Sequence, residues 1–320
     1  MLPSFESTTI ELEPEDDGPL VATVVRRRGE EQSSRAVLYV HGFVDYFFQA
    51  HVAEAFLAQG WDFYAIDLHR YGRSLRPGNR PNYCRDLSEY DREITAAIDI
   101  VKLEDGHETF IVMGHSTGGL IASLYADSGE RSDEINGLVL NSPFFGFSVP
   151  ASKRYQIPVG AAIGRVFPFL ADRHALSPRY VESISNDFDG EWTLDERWKP
   201  VKGFPAYYGW LRAIRRAHER VAEGLHIQCP VLVMHSSQSM LPAKKGDERH
   251  FTHDIVLDVA HMRTLGRQLG KNVTLRRIEN GVHDLFLSRE PARKKAIEEV
   301  FAWIVSVIGE KRISVREFRT

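Results

Sequence analysis

Cysteine is scarce in this chain of 320 residues: the only two, Cys84 and Cys229, lie far apart in the sequence. They form neither a disulfide framework nor a zinc-binding pattern, and we expect both to be reduced thiols in a cytoplasmic protein. An excess of positive charge is lacking as well, because the formal net charge is −4. A general nucleic-acid-binding protein is normally basic, so no nucleic-acid partner is expected.

Long hydrophobic runs are also missing. No segment approaches the roughly 20 apolar residues that a helix needs to cross a bilayer, so we expect no stable membrane span. The first six residues lack a basic stretch followed by an apolar one, and no secretory signal peptide is predicted. The hydrophobic fraction of 43% and the charged fraction of 26% are ordinary for a globular protein with a sizeable core. The composition does not predict an oligomeric state.

Motifs that hold metals or cofactors are weak or absent. The segment from His250 to Asp254 offers two histidines and an aspartate, but the chain has no His-Glu-x-x-His pair and no ordered set of cysteine and histidine ligands. Segment 114–119 has a serine where a dinucleotide fingerprint needs a glycine, and no Gly-x-Gly opens it. We therefore expect neither a metal nor a cofactor.

Strands that alternate with helices are the main feature that the chain does have. Short apolar runs predict strands at residues 20–25, 36–40, 62–66, 109–113, 138–140, 231–234 and 273–278. Helical patterns cover residues 47–59, 87–103, 117–126 and 255–269, and residues 301–305 lie on a final helix. This alternation predicts an α/β fold with a mostly parallel central sheet and helices on both faces.

The regular alternation stops in the segment 143–226, where aromatic residues, proline and glycine are frequent. We interpret this segment as a cap inserted into a core formed by residues 1–142 and 227–320. In open α/β sheets ligands bind beyond the carboxyl ends of the strands, so the cap is expected above that edge. Some of its aromatic side chains should pack the cap itself. Others, including Phe144 and Phe145, should line an apolar pocket for the substrate.

Ser116 is the strongest candidate for a catalytic residue. It is the centre of Gly114-His115-Ser116-Thr117-Gly118, which directly follows a strand pattern and precedes a helical one. A Gly-x-Ser-x-Gly segment in this context is typical of a nucleophile elbow, in which a strained turn exposes the serine hydroxyl. Side chains two positions before and after the serine would collide with neighbouring backbone, which explains the glycines. His115 must point away from the serine, and we expect it to contribute to the substrate site.

A base and an acid must accompany such a serine. A serine hydroxyl is a weak nucleophile and needs a base, which in turn needs a carboxylate to orient it. The chain order expected after a nucleophile elbow is serine, acid and then histidine. His283 follows the last predicted strand, in a loop that contains Gly281, and we predict that it is the base.

The acid has a weaker signal in the sequence. It should follow the strand at residues 231–234, but the residues directly after His235 are serines and a glutamine rather than an aspartate. Asp254 directly precedes an apolar run, as an acid that leads into a helix would, and we predict that it is the triad acid. Asp258 is the alternative, whereas Asp284, beside the histidine, is expected to point elsewhere.

An oxyanion hole is also expected, because the tetrahedral intermediate of acyl transfer needs preorganised N–H donors. The backbone N–H of Thr117, directly after the nucleophile, is the first expected donor. The second is the N–H of Phe43 in the segment His41-Gly42-Phe43, which follows the strand at residues 36–40. Gly42 permits the close approach of the backbone.

Together with His283, three segments of the chain resemble the α/β-hydrolase superfamily. They are His41-Gly42-Phe43, Gly114 to Gly119, and Asp67-Leu68-His69-Arg70-Tyr71-Gly72-Arg73-Ser74. Within the superfamily the chain is most similar to the monoacylglycerol lipase and lysophospholipase group, which includes serine aminopeptidase-like hydrolases. The resemblance covers most of the chain but least of all the cap. The chain departs from the family pattern in lacking an aspartate soon after His235 and in having Arg70 where a glycine is common. The loop that contains Arg70 is expected to be structural.

The resemblance implies hydrolysis of an ester bond through an acyl-enzyme, without metal or cofactor. The expected partner is a small-molecule acyl ester, such as a monoacylglycerol or a lysophospholipid. Peptide, amide or thioester hydrolysis and cofactor-free perhydrolysis stay open, because one triad serves them all. A non-catalytic ligand-binding module of the same fold is a further alternative. The presence of both Ser116 and His283 favours an enzyme.

Overall fold

A computed structural model describes residues 4–173, 177–241 and 246–309 of the chain. The outer ends of the predicted core segments, residues 1–3 and 310–320, lie outside the described residues. The strands of the described ranges are β1 Glu6–Glu15, β2 Gly18–Arg27, β3 Arg35–Val40, β4 Asp62–Asp67, β5 Thr109–His115, β6 Gly137–Asn141, β7 Ala171–Asp172, β8 Ala206–Tyr207, β9 Val231–Ser236 and β10 Val273–Ile278. The α-helices are α1 Ala50–Ala58, α2 Asp91–Asp99, α3 Thr117–Ser128, α4 Gln156–Val166, α5 Arg179–Ile184, α6 Tyr208–Glu223, α7 Val259–Leu265 and α8 Glu290–Ile308.

Eight of the strands form one sheet in the order β1-β2-β4-β3-β5-β6-β9-β10. β2 is antiparallel to both β1 and β4, whereas every other neighbouring pair is parallel. The two-residue strands β7 and β8 pair with each other outside this sheet. The predicted α/β class is therefore confirmed, and all seven predicted strands are present.

Apolar side chains cover both faces of the central strands. In β3, Val37 packs into the core on one face of the sheet, and Leu38 packs into the core on the other. Leu120 of α3 and Trp210 of α6 belong to the core on the Leu38 face, and Trp303 of α8 belongs to the core on the Val37 face. Because both faces are covered, the central strands are continuous apolar runs in the sequence.

β1 is missing from the strands that the sequence predicts. Its apolar residues Ile10 and Leu12 alternate with polar and charged residues, and β1 pairs with a neighbour on one side only. Charged side chains are common on such edge strands, where they discourage pairing with a second molecule. The strand therefore lacks the continuous apolar run by which the central strands were predicted.

Three predicted helices differ in extent from the observed ones. The helix expected from residue 47 begins at Ala50. The helical stretch 87–103 consists of a 3-10 turn at Leu87–Tyr90, α2, and a π-helical turn at Ile100–Glu104. The helix expected from residue 255 begins only at Val259.

The loop after β4 is held in place by hydrogen bonds and an ion pair to two other parts of the chain. The Asp67 carboxylate accepts hydrogen bonds from the N–H groups of Phe47 (3.0 Å) and Arg73 (2.9 Å). Arg70 has a φ of +64° in this loop, and its fully buried guanidinium pairs with Asp17 at 2.6 Å. These bonds connect the loop to the entry of α1 and to the β1–β2 hairpin, so its contacts are structural.

Residues 143–226, called the cap segment below, lie between β6 and β9 in the sequence and contain α4, α5 and α6. Two of its side chains contact the loop that follows β3, at the carboxyl end of that strand. The Trp210 ring stacks on Phe43 with centroids 4.0 Å apart, and Lys199 Nζ lies 2.8 Å from Asp45 Oδ1. The division of the chain into a core and a cap stays a prediction.

Both cysteines are free thiols. Burial raises the pKa of the Cys84 thiol far above its ordinary value and that of Cys229 to about 11. Neither thiol is ionised at neutral pH, so neither has the nucleophilic reactivity of a thiolate.

Candidate active site

Ser116 stands on the turn between β5 and α3. Its backbone has φ +53° and ψ −117°, a conformation that costs a non-glycine residue about 1–3 kcal/mol and persists only where the surroundings enforce it. Two hydrogen bonds enforce it here: the Ser116 N–H donates to Asn141 O, and the Phe144 N–H donates to Ser116 O, both at 3.0 Å. A strained serine between a strand and a helix is the geometry of a nucleophile elbow.

The glycines on either side of the serine are required by space. A Cβ atom at Gly114 would lie 2.6 Å from the carbonyl oxygen of Gly118, and one at Gly118 would lie 2.2 Å from the carbonyl oxygen of His41. Both obstacles are backbone atoms, which no side-chain rotation could move. The steric reason proposed from the sequence for these glycines is therefore confirmed.

His283 lies in the loop after β10 and reaches Ser116, 167 residues away in the sequence. Its Nε2 is 3.0 Å from Ser116 Oγ. The Val282 N–H donates to Ser288 Oγ at 3.0 Å and holds the loop, while the Tyr180 ring packs edge-on against the imidazole at 5.5 Å between centroids. The imidazole is thus held within hydrogen-bonding reach of the serine hydroxyl.

Asp254 extends this chain of contacts. Its Oδ2 lies 2.9 Å from His283 Nδ1, and its Oδ1 accepts the N–H groups of Val256 and Leu257, both at 2.8 Å. The carboxylate is fully buried. Because it accepts at Nδ1, it favours the tautomer with the proton on Nδ1 and leaves Nε2 free to accept the proton of Ser116.

Backbone hydrogen bonds place Asp254 beside the residues that follow β9. The Asp254 N–H donates to Gln238 O, and the Met240 N–H donates to Asp254 O, both at 2.9 Å. These two bonds hold Asp254 beside the segment that directly follows β9. Asp254 occupies the place at which the sequence leads us to expect an acid, although it is distant from β9 along the chain.

The two other aspartates considered from the sequence have different partners. Asp258 accepts the N–H of Ala260 at 2.9 Å and begins α7. Asp284 accepts from Asn141 Nδ2 at 2.7 Å and from Gln49 Nε2 at 3.0 Å. Both carboxylates are engaged in bonds with the surrounding scaffold rather than with the imidazole.

The two N–H groups predicted to form an oxyanion hole belong to residues beside Ser116. A Cβ atom at Gly42 would lie only 3.1 Å from the Ser116 Cβ, so the backbone before Phe43 passes close to the serine. Thr117 is the first residue of α3, and the first N–H of a helix has no partner within the helix. Phe43 and Thr117 line the same cavity as the serine.

A cavity of about 1350 Å³ opens beside Ser116 and His283. Its apolar lining includes Phe147, Ile157, Val159, Trp210, Leu211 and Leu257. Sites for small molecules are usually about 300–1,000 Å³ in volume, so this cavity can accommodate an extended apolar chain.

The three residues predicted to contact substrate have different positions. His115 and Phe144 line the cavity, and His115 Nδ1 lies 3.1 Å from Asn141 O. Phe145 is only 1% exposed and packs in the core, so the structure does not bring it to the cavity wall. The Phe145 N–H donates to Pro143 O at 3.0 Å and closes a tight turn. At this turn the neighbouring rings of Phe144 and Phe145 have different surroundings, because Phe144 lines the cavity and Phe145 does not.

The cavity lining also includes polar residues that no sequence motif indicates, among them Asp45, Tyr180 and Lys199. Lys199 Nζ lies 2.8 Å from Asp45 Oδ1, across 154 residues of sequence. Burial opposes ionisation of Asp45, but Lys199, with help from His115 and His41, holds the pKa of this carboxyl below its usual value. A pairing over such a distance leaves no local pattern in the sequence.

His218 of α6 supports the cavity wall. Its ring packs edge-on against Phe144 at 4.7 Å and Phe147 at 4.9 Å between centroids, and its Nε2 lies 2.9 Å from Phe144 O. Burial lowers its pKa from 6.5 to about 4. Because the folded state binds this proton less tightly than the unfolded state, the fold loses stability as the pH falls from 6.5 towards 4. At pH 5 the loss from this group is about 2 kcal/mol.

We expect His218→Gln to remove this acid sensitivity, because glutamine keeps an N–H donor for Phe144 O but does not titrate. In urea unfolding at pH 7 and pH 5, the variant should lose about 2 kcal/mol less stability than the wild type. His226→Gln is the control, since His226 is exposed and should leave the wild-type pH dependence intact. An unchanged pH dependence in His218→Gln would show that another group is responsible.

Acidic side chains that could gather round a cation occur at the β1–β2 hairpin. In the described ranges, the cluster with suitable spacing is Glu15, Asp16 and Asp17. Arg70 pairs with Glu15 at 3.0 Å and with Asp17 at 2.6 Å, and Arg80 pairs with Asp16 at 3.1 Å. The negative charge of this cluster is therefore compensated by arginine.

The sheet order and the elbow between β5 and α3 define the class of the α/β hydrolases. A family model described as serine aminopeptidase, S33, matches residues 31–291, and the chain belongs to this family. A monoacylglycerol lipase of Mycolicibacterium smegmatis is 28% identical over 279 residues, which cover 84% of this chain and 88% of the relative.

Solved structures show the same fold. A monoacylglycerol lipase of Paleococcus ferrophilus superposes with a TM-score of 0.65 at 20% identity, covering 94% of this chain and 99% of the other. A soluble variant of the monoglyceride lipase of Saccharomyces cerevisiae, in complex with a substrate analogue, gives a TM-score of 0.67 at 13% identity, covering 94% and 96%. The predicted resemblance to the monoacylglycerol lipase group is confirmed, and the prediction of a carboxylic ester hydrolase agrees with these comparisons. Across the described ranges, none of the helices combines the length and apolarity needed to cross a bilayer.

Proposed function

We propose that the protein cleaves carboxylic esters through an acyl-enzyme, with Ser116 as nucleophile, His283 as base and Asp254 as acid. The observation that carries the proposal is the continuous chain of contacts from Ser116 Oγ through the imidazole to Asp254, at 3.0 and 2.9 Å. A nucleophile within about 2.6–3.2 Å of a base, with the base oriented by a third group, is the arrangement that activates a serine.

The first half of the reaction forms the acyl-enzyme. Ser116 Oγ attacks the carbonyl carbon of the ester while its proton passes to His283 Nε2. The carbonyl oxygen becomes an oxyanion, which the N–H groups of Phe43 and Thr117 stabilise. The ester C–O bond then breaks, and His283 donates its proton to the leaving alcohol oxygen.

The second half restores the enzyme. A water molecule attacks the acyl carbonyl carbon and gives a proton to His283, and the same two N–H groups stabilise the second oxyanion. The bond to Ser116 Oγ breaks, the serine recovers its proton from His283, and the carboxylic acid leaves. Asp254 stays ionised throughout and stabilises the imidazolium that forms twice in the cycle.

The substrate class that we propose is a monoacylglycerol, a lysophospholipid or a similar acyl ester. The apolar lining and the volume of about 1350 Å³ support a long acyl chain beside Ser116. The similarity to proteins that are named monoacylglycerol lipases supports the same class. The chain requires no metal or cofactor for this chemistry, and its cytoplasmic location stays a prediction.

Peptide hydrolysis is the second candidate, because the family description names an aminopeptidase. An aminopeptidase must bind a free ammonium group, for which a carboxylate in the cavity is the natural partner. Of the carboxylates that line the cavity, Asp45 is paired with Lys199, Asp258 is bonded to the start of α7, and Asp172 is exposed. The two buried or partly buried carboxylates, Asp45 and Asp258, are thus already engaged, which favours an ester over a peptide.

A series of chromogenic esters, from acetyl to long-chain acyl, tests the proposal. We expect turnover to rise with chain length to an optimum at medium or long chains, because each buried CH₂ group contributes about 0.8 kcal/mol until the cavity is filled. The measurement is kcat/KM for each ester, in parallel with aminoacyl nitroanilides.

Purified Ser116→Ala protein supplies the blank for every member of the series. A higher kcat/KM for the nitroanilides than for the esters would favour aminopeptidase activity instead. The absence of any Ser116-dependent turnover would favour a binding module with an unused triad.

A further inference from the structure

The turn that presents the Phe43 N–H is itself strained. Val44, directly after Phe43, has a φ of +49°. A β-branched residue is a genuine outlier in this region, and such a conformation costs about 1–3 kcal/mol unless neighbouring groups enforce it. Contacts that hold residues 42–45 therefore determine where the Phe43 N–H points.

Lys199 of the cap segment supplies two of these contacts. Its Nζ donates to Val44 O at 3.3 Å and to Asp45 Oδ1 at 2.8 Å. The second oxygen of Asp45 accepts the N–H of Gly42 at 3.3 Å. Lys199 is only 5% exposed and Asp45 only 2%, so solvent does little to weaken the pair. One ammonium group thus bonds to the strained residue and to the carboxylate that spans the turn.

Trp210 holds the same turn from another side. Its indole stacks on the Phe43 ring with centroids 4.0 Å apart and an angle of 24° between the planes. Trp210 lies on α6, so it too belongs to the cap segment. The residue before the strained position and the residue after it therefore both contact the cap segment.

We propose that Lys199 is a positioning residue, which acts through Val44 and Asp45 to hold the Phe43 N–H towards the oxyanion. This inference rests on the proposed function, in which Phe43 is an oxyanion donor. The cap segment then has a second role besides enclosing the substrate: it completes the support of the oxyanion hole. Lys199 itself does not need to contact the substrate in this scheme.

Lys199→Met tests the proposal, because it keeps the length of the side chain and removes its donors. We expect kcat for a short ester to fall about 10- to 100-fold per active site, since small displacements of catalytic groups are costly. KM should change less than about twofold, because the substrate cavity keeps its apolar lining. Active sites are counted with a chromogenic alkylphosphonate that labels Ser116.

Lys202→Met is the matched control, since Lys202 lies three residues further along the same segment and is exposed. It should keep the wild-type kcat. A rise in KM with an unchanged kcat in Lys199→Met would overturn the proposal, because it would make Lys199 a substrate-binding residue. An unchanged kcat and KM would overturn it as well.

A double variant separates positioning from stability. Lys199→Met alone leaves Asp45 as a buried charge without its partner, which is destabilising, whereas Lys199→Met with Asp45→Asn removes both charges. We expect the double variant to recover most of the wild-type Tm while kcat stays low. Recovery of kcat together with Tm would reduce Lys199 to a structural role.

The rate at which the phosphonate labels Ser116 gives a measurement that does not require an ester substrate. Its transition state places an oxygen in the same oxyanion hole, so the labelling rate should fall with kcat in Lys199→Met. If the wild type is labelled but cleaves no ester, the proposed function fails while the labelling rates still decide the role of Lys199. Equal labelling rates in the wild type and Lys199→Met would contradict the inference.

Discussion

Ser116→Ala is expected to lower kcat for ester hydrolysis by about 10⁶-fold, which is the scale of effect seen when a triad nucleophile is removed. The variant keeps the Cβ atom and the backbone bonds of Ser116 to Asn141 and Phe144, which lie at 3.0 Å. It loses only the hydroxyl that accepts the acyl group. Its Tm should therefore stay close to that of the wild type, and the activity loss should not arise from unfolding.

The measurement is kcat for the preferred ester, with circular dichroism and thermal unfolding as tests of the fold. Ser142→Ala is a matched control, because Ser142 is also buried, also has a positive φ (+48°), and has a hydroxyl without a hydrogen-bond partner. It should retain wild-type activity. Wild-type turnover in a carefully purified Ser116→Ala protein would refute the mechanism.

Asp254→Asn is expected to lower kcat by about 10⁴-fold, as the loss of a triad carboxylate does when it changes the tautomer of the histidine. The Oδ1 position accepts two backbone N–H groups, from Val256 and Leu257, so the asparagine oxygen should occupy it. The amide NH₂ would then face His283 Nδ1. The imidazole would carry its proton on Nε2 and would no longer accept the proton of Ser116.

Asp258→Asn is the comparison for this prediction. Asp258 accepts the N–H of Ala260 in the first turn of α7, and asparagine caps a helix about as well as aspartate does, so activity and stability should both change little. Steady-state kinetics and active-site titration of the two variants decide the assignment. A larger loss in Asp258→Asn than in Asp254→Asn would make Asp258 the acid.

Local features of this fold were predictable from the sequence, and the elbow is the clearest case. The requirement for glycine at Gly114 and Gly118 arises from backbone atoms only a few residues away or in the adjacent strand, and it appears as a fixed spacing round Ser116. The buried strands were predictable for a similar reason, because burial on both faces produces continuous apolar runs.

The region round Asp254 shows why the predicted start of the helix at residue 255 was wrong, although the helix itself is present from Val259. The apolar residues after Asp254 have the composition of a helix start, but the N–H groups of Val256 and Leu257 bind the Asp254 carboxylate instead. The helix begins after Asp258, whose own side chain accepts the N–H of Ala260 in the first turn. Asp254, which contacts the histidine, and Asp258, which begins the helix, both precede apolar residues in the sequence. They differ in the groups that their carboxylates contact.

Features that depend on distant partners were not predictable. The pair formed by Lys199 and Asp45 joins residues 154 positions apart, and nothing in either segment alone indicates it. The same holds for Phe145, whose ring direction is determined by a turn and by the core around it rather than by its aromatic character.

The pairing of β9 with β6 also has a consequence for the order of folding. The 89 residues between Asn141 and Val231 separate two adjacent strands, so this pairing closes one of the longest loops in the sheet. Contacts of such high sequence separation form late, because the entropy of loop closure is lost before the contacts stabilise the chain.

Asp254 and His283 follow β9 in the sequence, whereas Ser116 precedes the loop. A nascent chain that has folded its amino-terminal strands therefore already contains the elbow but has no reactive serine. In the proposed mechanism, reactivity appears only when β9 and β10 have docked and have brought Asp254 and His283 to Ser116.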